Sequence, residues 1–308
     1  MPATTSSPAS ASLVALDWGS SSLRAYLLGE DGTILDRRAE PWGILQLPER
    51  DFGGAFHRIT AGWSSAAGPL PAIASGMIGS AQGWIEAPYV DLPAGAEQLA
   101  RRLATVPNTP LRIVPGLAQR GSSPDVMRGE ETQIVGALAA KPELAGGVVV
   151  LPGTHSKWVR LAGGLIREFT TYMTGELFAV LRAHSILGRL APGGAADPVG
   201  GDAAFARGVA AAQRSANGLG PILFAARASV LVGDLRAESS LEFLSGLLIG
   251  DELRAGLAAG QTPAALIGDP ALSARYVAAF EQLGVGGVPI LADAAPTGLW
   301  SIAQHASA

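Results

Sequence analysis

Residues 13–35 read LVALDWGSSSLRAYLLGEDGTIL. An apolar run, Leu13–Leu16, meets Asp17-Trp18-Gly19 and three consecutive hydroxyls, Ser20, Ser21 and Ser22. A second apolar run, Leu23–Leu28, follows, and Gly29-Glu30-Asp31-Gly32 turns it into a third, Thr33–Arg38. An Asp-Gly step between apolar runs is a strong hairpin signal. The spacing therefore predicts an antiparallel meander whose first turn holds a carboxylate, a glycine and three hydroxyls. Such a turn suits a polyphosphate. Gly19 admits close backbone approach, and N–H groups and hydroxyls donate to phosphate oxygens. Asp17 can hold Mg²⁺ through the waters that this ion sheds reluctantly. Taken alone, the same turn reads sooner as an ordinary serine-rich hairpin.

The pattern returns further along the chain. Val148–Leu151 is apolar and ends in Pro152-Gly153-Thr154-His155-Ser156-Lys157, followed by Trp158–Leu161, a glycine turn at 162–164 and Leu165–Thr171. Two strand–turn–strand units one domain length apart predict a duplicated, two-lobed α/β chain. Helical spacing is read over Phe52–Ala67, Ala94–Ala104, Glu130–Ala140, Glu176–Leu187, Asp202–Ser215, Leu241–Ala259, Leu272–Leu283 and Gly298–Gln304. Further strands are read at Pro71–Ala74, Leu111–Val114, Ala264–Ile267 and Pro289–Leu291. Leu187–Gly201, rich in Gly and Pro, reads as a mobile loop.

Composition excludes several classes. The chain has 308 residues, enough for two domains. Apolar residues are 48% and charged residues 16%, which is not the make-up of a disordered chain. A net charge of −4 argues against nucleic-acid binding. The absence of cysteine removes disulfides, thiolate metal ligands and a thiol nucleophile. No apolar run approaches the roughly 20 residues needed to span a bilayer, and residues 1–12 lack a basic signal-peptide start, so a cytoplasmic protein is expected. An Ala- and Leu-rich helical surface is compatible with a homodimer.

The candidate chemistry sits in the turns. Gly153 and Thr154 repeat the phosphate-turn composition, and Lys157 is one of only two lysines. His155 is read as structural. Glu130 and Glu131 open a helix, where acids favour the helix dipole; either can also act as a general base toward an attacking hydroxyl. Arg128, just upstream, can pair with that acid or with an anionic substrate. The segment Ser75–Trp84 is glycine-rich and follows a strand, but it fits neither a P-loop nor a dinucleotide fingerprint. It reads as a substrate-lining loop with Gly79, Gln82 and Trp84 near the ligand. Gly268, between a strand and a helix, suits close approach of an adenine ring and equally a plain strand-to-helix turn.

Seven motifs in order carry a resemblance: residues 13–35, GMIGSAQGWIEAPYV from 76, VMRGEETQIVGA from 126, LPGTHSKWV from 151, MTGEL from 173, EFLSGLLIGDEL from 242 and LSARY from 272. The first resembles the leading phosphate motif of the sugar kinase/Hsp70/actin superfamily. Together they resemble the 2-dehydro-3-deoxygalactonokinase family. That resemblance implies two ribonuclease-H-like, actin-like ATPase domains with a nucleotide cleft between them. It implies a tail at 1–12, a first domain at 13–128 and a second at 129–308, with the last helix returning to the first. It also implies ATP-dependent phosphorylation of 2-dehydro-3-deoxy-D-galactonate at its 6-hydroxyl, with Mg²⁺. Asp17, Gly19, Ser20 and Ser21 match the first phosphate motif, Gly153 and Thr154 the second, and Gly268 the adenosine motif. Glu130 or Glu131 stands where related kinases carry an Asp base. The second phosphate turn lacks the usual leading Asp, which leaves more of the metal work to Asp17. Arg128 and Lys157 are the cations available to the substrate carboxylate. A kinase for another sugar acid, such as 2-dehydro-3-deoxygluconate, and a non-catalytic actin-like ATP-binding protein are the alternatives.

Overall fold

The computed structural model describes residues 10–65, 68–190, 200–292 and 294–307. The chain divides into two compact units. One comprises the residues up to Gly146 with Arg160–Phe169 and the C-terminal segment from 293; the other comprises Gly147–Val159 and Thr170–Ala292.

The first unit opens with the meander β1 (Ala11–Trp18), β2 (Leu23–Gly29) and β3 (Ile34–Glu40). Strand β1 begins two residues inside the tail read from the sequence, and residues 1–9 lie outside the described residues. Helix α1 (Phe52–Ile59) buries Phe52, Ala55, Phe56 and Ile59. It stops eight residues short of the sequence expectation, because Gly62 takes a positive φ of 80° and the minimal hairpin β4 (Ser64–Ser65) and β5 (Gly68–Pro69) follows. Next come β6 (Ala72–Ser75), β7 (Tyr89–Asp91), α2 (Ala96–Ala100), β8 (Ala104–Thr105), β9 (Leu111–Ile113), β10 (Gly116–Gln119), β11 (Asp125–Met127) and α3 (Glu130–Ala140). The main sheet has the order β3-β2-β1-β6-β9-β8, with β6 parallel to both β1 and β9. A small β11-β10-β7 sheet, unread from the sequence, stands beside it, because its three- and four-residue strands carry no periodic signal.

Strands β12 (Val148–Leu151), β13 (Ser156–Ala162) and β14 (Leu165–Tyr172), of which residues 160–169 belong to the first unit, lead to the helices of the second unit, α4 (Thr174–His184), α5 (Gly201–Arg214), α6 (Ala225–Leu231) and α7 (Ser240–Ala258). Then follow β15 (Pro263–Ile267), α8 (Pro270–Gln282) and β16 (Ile290–Leu291). The sheet order is β14-β13-β12-β15-β16, with β12, β15 and β16 parallel. Its order repeats that of β3-β2-β1-β6-β9 in the main sheet of the first unit, where β8 adds an edge strand beyond β9. Of the loop expected at 187–201, residues 191–199 lie outside the described residues.

Each unit is closed over its own apolar core. Trp18, Leu16, Leu23, Ile78 and Ile113 form one, and Trp158, Leu253, Leu266, Tyr276 and Phe280 another. The last helix, α9 (Ala294–Ser307), packs on α3 through facing glycines. A Cβ on Gly136 would stand 1.9 Å from the Ala294 carbonyl, and one on Gly298 the same distance from that of Thr132. Helix α3 is thereby held in the first unit, although it lies beyond residue 128.

Candidate active site

In the first unit, β1 delivers Asp17 to the end of the sheet, and the turn after it is closed by Gly19 N–H donating to the Ser22 carbonyl at 3.0 Å. The turn is braced from behind. Ile44 and Leu45 donate their N–H groups to the carbonyls of Gly19 and Ser20, at 3.0 and 3.2 Å, and Trp18 Nε1 donates to the Trp42 carbonyl at 2.7 Å. The backbone of Gly43 lies so close that a Cβ would stand 2.2 Å from the Ser20 carbonyl oxygen. Gly43 is a residue that the sequence reading missed: a single glycine after Trp42 has no local signal, because its partner lies more than 20 positions away.

Two further glycines bring the other elements in. Gly76, at φ +98°, ends β6, and a Cβ there would meet the Trp18 carbonyl at 2.7 Å. Gly129, at φ +108°, precedes α3, and a Cβ there would meet Gly76 Cα at 3.2 Å. Positive φ and close approach both demand glycine. Gly19, Gly76 and Gly129 thus draw together the first turn, the end of β6 and the start of α3.

Gly129 caps α3 without a side chain, so the glutamates reach back to its orphan donors. Glu130 accepts from Arg128 N–H at 3.1 Å. Glu131 accepts from Gly129 N–H at 2.7 Å and from the Thr132 hydroxyl at 3.2 Å. The two differ in exposure: Glu131 is fully buried, whereas Glu130 is partly exposed. Burial, with the Glu130 charge beside it, pushes the Glu131 carboxyl up to about 7 against the pull of its backbone donors and of Arg128.

Asp17 is paired with Arg24, its cross-strand neighbour, at 3.6 Å. On the other side it is in register with Ser75, whose buried hydroxyl has no hydrogen-bond partner. Arg128 lies over the Tyr89 ring, 4.4 Å from its centroid, and donates from Nη2 to the Ala87 carbonyl at 2.9 Å. Its Nε and Nη1 are buried and without a partner. Gly79 makes room for that guanidinium, since a Cβ there would stand 3.0 Å from Nη1. Trp84 is stacked on Phe52 with an edge toward Trp18, as part of the core wall. Gln82 is exposed, and its carbonyl accepts from Arg50.

In the second unit, the turn Pro152–His155 follows β12, with Gly153 half-buried and Thr154 exposed. The start of α4 is pressed against it. Glu176 N–H donates to the Thr154 carbonyl at 3.0 Å, and a Cβ on Gly175 would meet the Gly153 carbonyl at 2.5 Å. Gly268, at φ +148°, lies across from the Pro152 carbonyl. A cavity of about 470 Å³ opens from this turn. Gly153, Thr154, Thr174 and Gly175 line one part of it; Phe178, Leu241, Glu242, Leu272, Arg275 and Tyr276 are among the rest. The helices were legible in the sequence, but the cavity they frame exists only by tertiary juxtaposition. His155 contacts Glu176. Lys157 is buried in β13 and donates to the Thr171 hydroxyl at 2.6 Å; it is not among the residues lining the cavity. Among the described residues no three His, Asp or Glu side chains cluster as a metal cage, and no helix is long and apolar enough to cross a membrane.

Residues 17–302 match the model of the 2-keto-3-deoxy-galactonokinase family. The 2-dehydro-3-deoxygalactonokinase of Escherichia coli (strain K12) is 37% identical over 298 residues, spanning 94% of this chain and 97% of that one. A Rhizobium meliloti (strain 1021) protein assigned the same activity is 40% identical over 291 residues, 91% of this chain and 92% of its own. A crystal structure of a Sinorhizobium meliloti protein, also so assigned, superposes with a TM-score of 0.84 at 37% identity, covering 95% of this chain and 98% of that one. The activator of the 2-hydroxyisocaproyl-CoA dehydratase from Clostridium difficile shares the fold alone, at 12% identity and a TM-score of 0.51.

Proposed function

The chain belongs to the 2-keto-3-deoxy-galactonokinase family, and on that footing we propose that it transfers the γ-phosphoryl group of ATP to the 6-hydroxyl of 2-dehydro-3-deoxy-D-galactonate, a step in galactonate breakdown. The observation that carries the sugar-acid reading is Arg128. A buried guanidinium nitrogen without an acceptor is costly to leave so, and Arg128 has two. An ionised carboxylate is the natural acceptor, and charge-assisted bonds of that kind are worth about 1.5–3 kcal/mol. The engaged, buried ammonium of Lys157 leaves this role to Arg128.

Glu130 is the proton acceptor in this reading. It is the more exposed of the two acids opening α3, and the contact of Gly129 with Gly76 ties that helix start to the first phosphate turn. Glu131, fully buried, holds the Gly129 N–H and so positions the turn that carries Glu130. As the sugar oxygen attacks the γ-phosphorus, its proton passes to the Glu130 carboxylate; the bond from that phosphorus to the bridging oxygen breaks, and ADP leaves. The nucleotide base takes the cavity of the second unit. Its phosphates lie at the Gly153–Thr154 turn, where the N-terminus of α4 favours an anion.

Asp17 and the orphaned Ser75 hydroxyl fit a hydrated Mg²⁺. A single carboxylate suffices for an ion that keeps its waters and rests on phosphate oxygens. When bound, Mg²⁺ offsets the charge on those oxygens.

The test is product identity. Phosphorus NMR of the protein with Mg·ATP and the sugar acid should show a phosphomonoester growing in step with ADP. Inorganic phosphate growing in its place, with the sugar acid unchanged, would overturn the kinase reading in favour of an actin-like ATPase.

A further inference from the structure

Glu252 lies on α7 in the second unit and is 2% exposed. Its two carboxylate oxygens accept four hydrogen bonds. Ser156 Oγ, at 2.7 Å, and Trp158 Nε1, at 2.9 Å, donate to Oε1. Tyr276 OH, at 2.7 Å, and the Thr174 hydroxyl donate to Oε2. Burial pushes this carboxyl up and its donors oppose the shift. The donors come from three elements. Ser156 and Trp158 open the strand that leaves the Gly153–Thr154 turn, Thr174 begins α4, and Tyr276 lies on α8. Thr174 and Tyr276 line the cavity, whereas Ser156, Trp158 and Glu252 do not.

We infer that Glu252 is a positioning residue for the nucleotide. It sets the cavity walls and the phosphate turn in register by joining, through one carboxylate, the strand after the turn, the start of α4 and α8. The inference rests on reading this cavity as the nucleotide site. A hydrocarbon in its place would strand four donors, all in the three elements that frame the cavity or its turn. Glutamine would not. The Trp158 N–H can only donate, so the amide oxygen must face Ser156 and Trp158. The amide nitrogen then faces Thr174 and Tyr276, whose hydroxyls can rotate to accept.

The experiment is calorimetric binding of ADP to the full chain, together with steady-state KM values for ATP and for the sugar acid. Glu252→Gln should bind ADP within threefold of the parent. Glu252→Met, which keeps the length of the side chain without its carboxylate, should bind at least tenfold more weakly and raise the KM for ATP by a similar factor, with the KM for the sugar acid within twofold. Ser156→Ala combined with Trp158→Phe, both outside the cavity, should weaken ADP binding at least threefold, and this variant decides the matter if Glu252→Met does not fold. Unchanged ADP binding in a folded Glu252→Met, or in the double variant where it must decide, overturns the inference. So does an equal rise in both KM values. A parent protein that binds no ADP instead overturns the reading of the cavity itself, which is a separate failure.

Discussion

Replacing Glu131 by glutamine should make the stability of the first unit less dependent on pH, in a direction fixed by its burial. The carboxyl titrates at about 7 in the folded chain, against 4.5 for an ordinary glutamate, chiefly because it is fully buried and Glu130 stands beside it. Each pH unit of displacement is worth about 1.4 kcal/mol, so the whole is worth about 3 kcal/mol. Between pH 4.5 and about 7 the native state keeps a proton that the unfolded chain has released. This contribution is therefore fully present below 4.5 and is lost as pH rises through about 7. Glutamine cannot ionise, and its amide can still accept from Gly129 and donate to the Thr132 hydroxyl. Urea unfolding of parent and variant at intervals from pH 5 to pH 8 measures the difference, with titrations common to both proteins cancelling. The parent should lose about 2.5 kcal/mol relative to Glu131→Gln across that range, the rest having gone below pH 5. A difference flat to within about 1 kcal/mol, or one favouring the parent at high pH, would refute the assignment of Glu131 as a buried acid held near neutrality.

Arg128→Ala should raise the KM for the sugar acid about 10- to 100-fold, the kinetic equivalent of losing charge-assisted bonds, while the KM for ATP holds steady. Arg128→Lys should not restore it, since an ammonium offers no planar fork; steady-state kinetics with each substrate varied in turn checks both variants. Glu130→Gln should lower kcat by about 10²- to 10⁴-fold with ADP affinity retained, as measured by turnover and calorimetry. Gly43→Ala drives a Cβ to 2.2 Å from the Ser20 carbonyl. It should cost about 1–3 kcal/mol of stability, as overpacking does, and lower turnover, both readable from a melting curve and an activity assay.

Local chemistry was legible in the sequence, and tertiary contact was not. The meander around Asp17-Trp18-Gly19 declares itself through an Asp-Gly turn and clean apolar runs, and Glu130–Ala140 and Val148–Leu151 fall where they were read. The helix read over Phe52–Ala67 was overextended, because an apolar spacing continued past the point where Gly62 adopts a positive φ. Glu130 and Glu131 are equivalent as first-turn acids, and only packing buries one and leaves the other accessible. Gly43 and the cavity wall of Phe178, Leu241, Leu272 and Arg275 depend on partners distant in the chain, which no periodicity encodes. Lys157 stands out by its rarity and its place in a dense polar turn, and neither carries information about whether an ammonium already has a partner.

Acceptor-dependent ADP release reaches the central claim most directly. With Mg·ATP, the rate would be compared for 2-dehydro-3-deoxy-D-galactonate, its gluconate epimer, neutral hexoses and no acceptor. ADP release should be rapid with the galactonate derivative and negligible without an acceptor or with neutral hexoses. Equal use of the gluconate epimer would widen the substrate while keeping the kinase. ADP release at the same rate with no acceptor would contradict phosphoryl transfer to a sugar acid as the function of this chain.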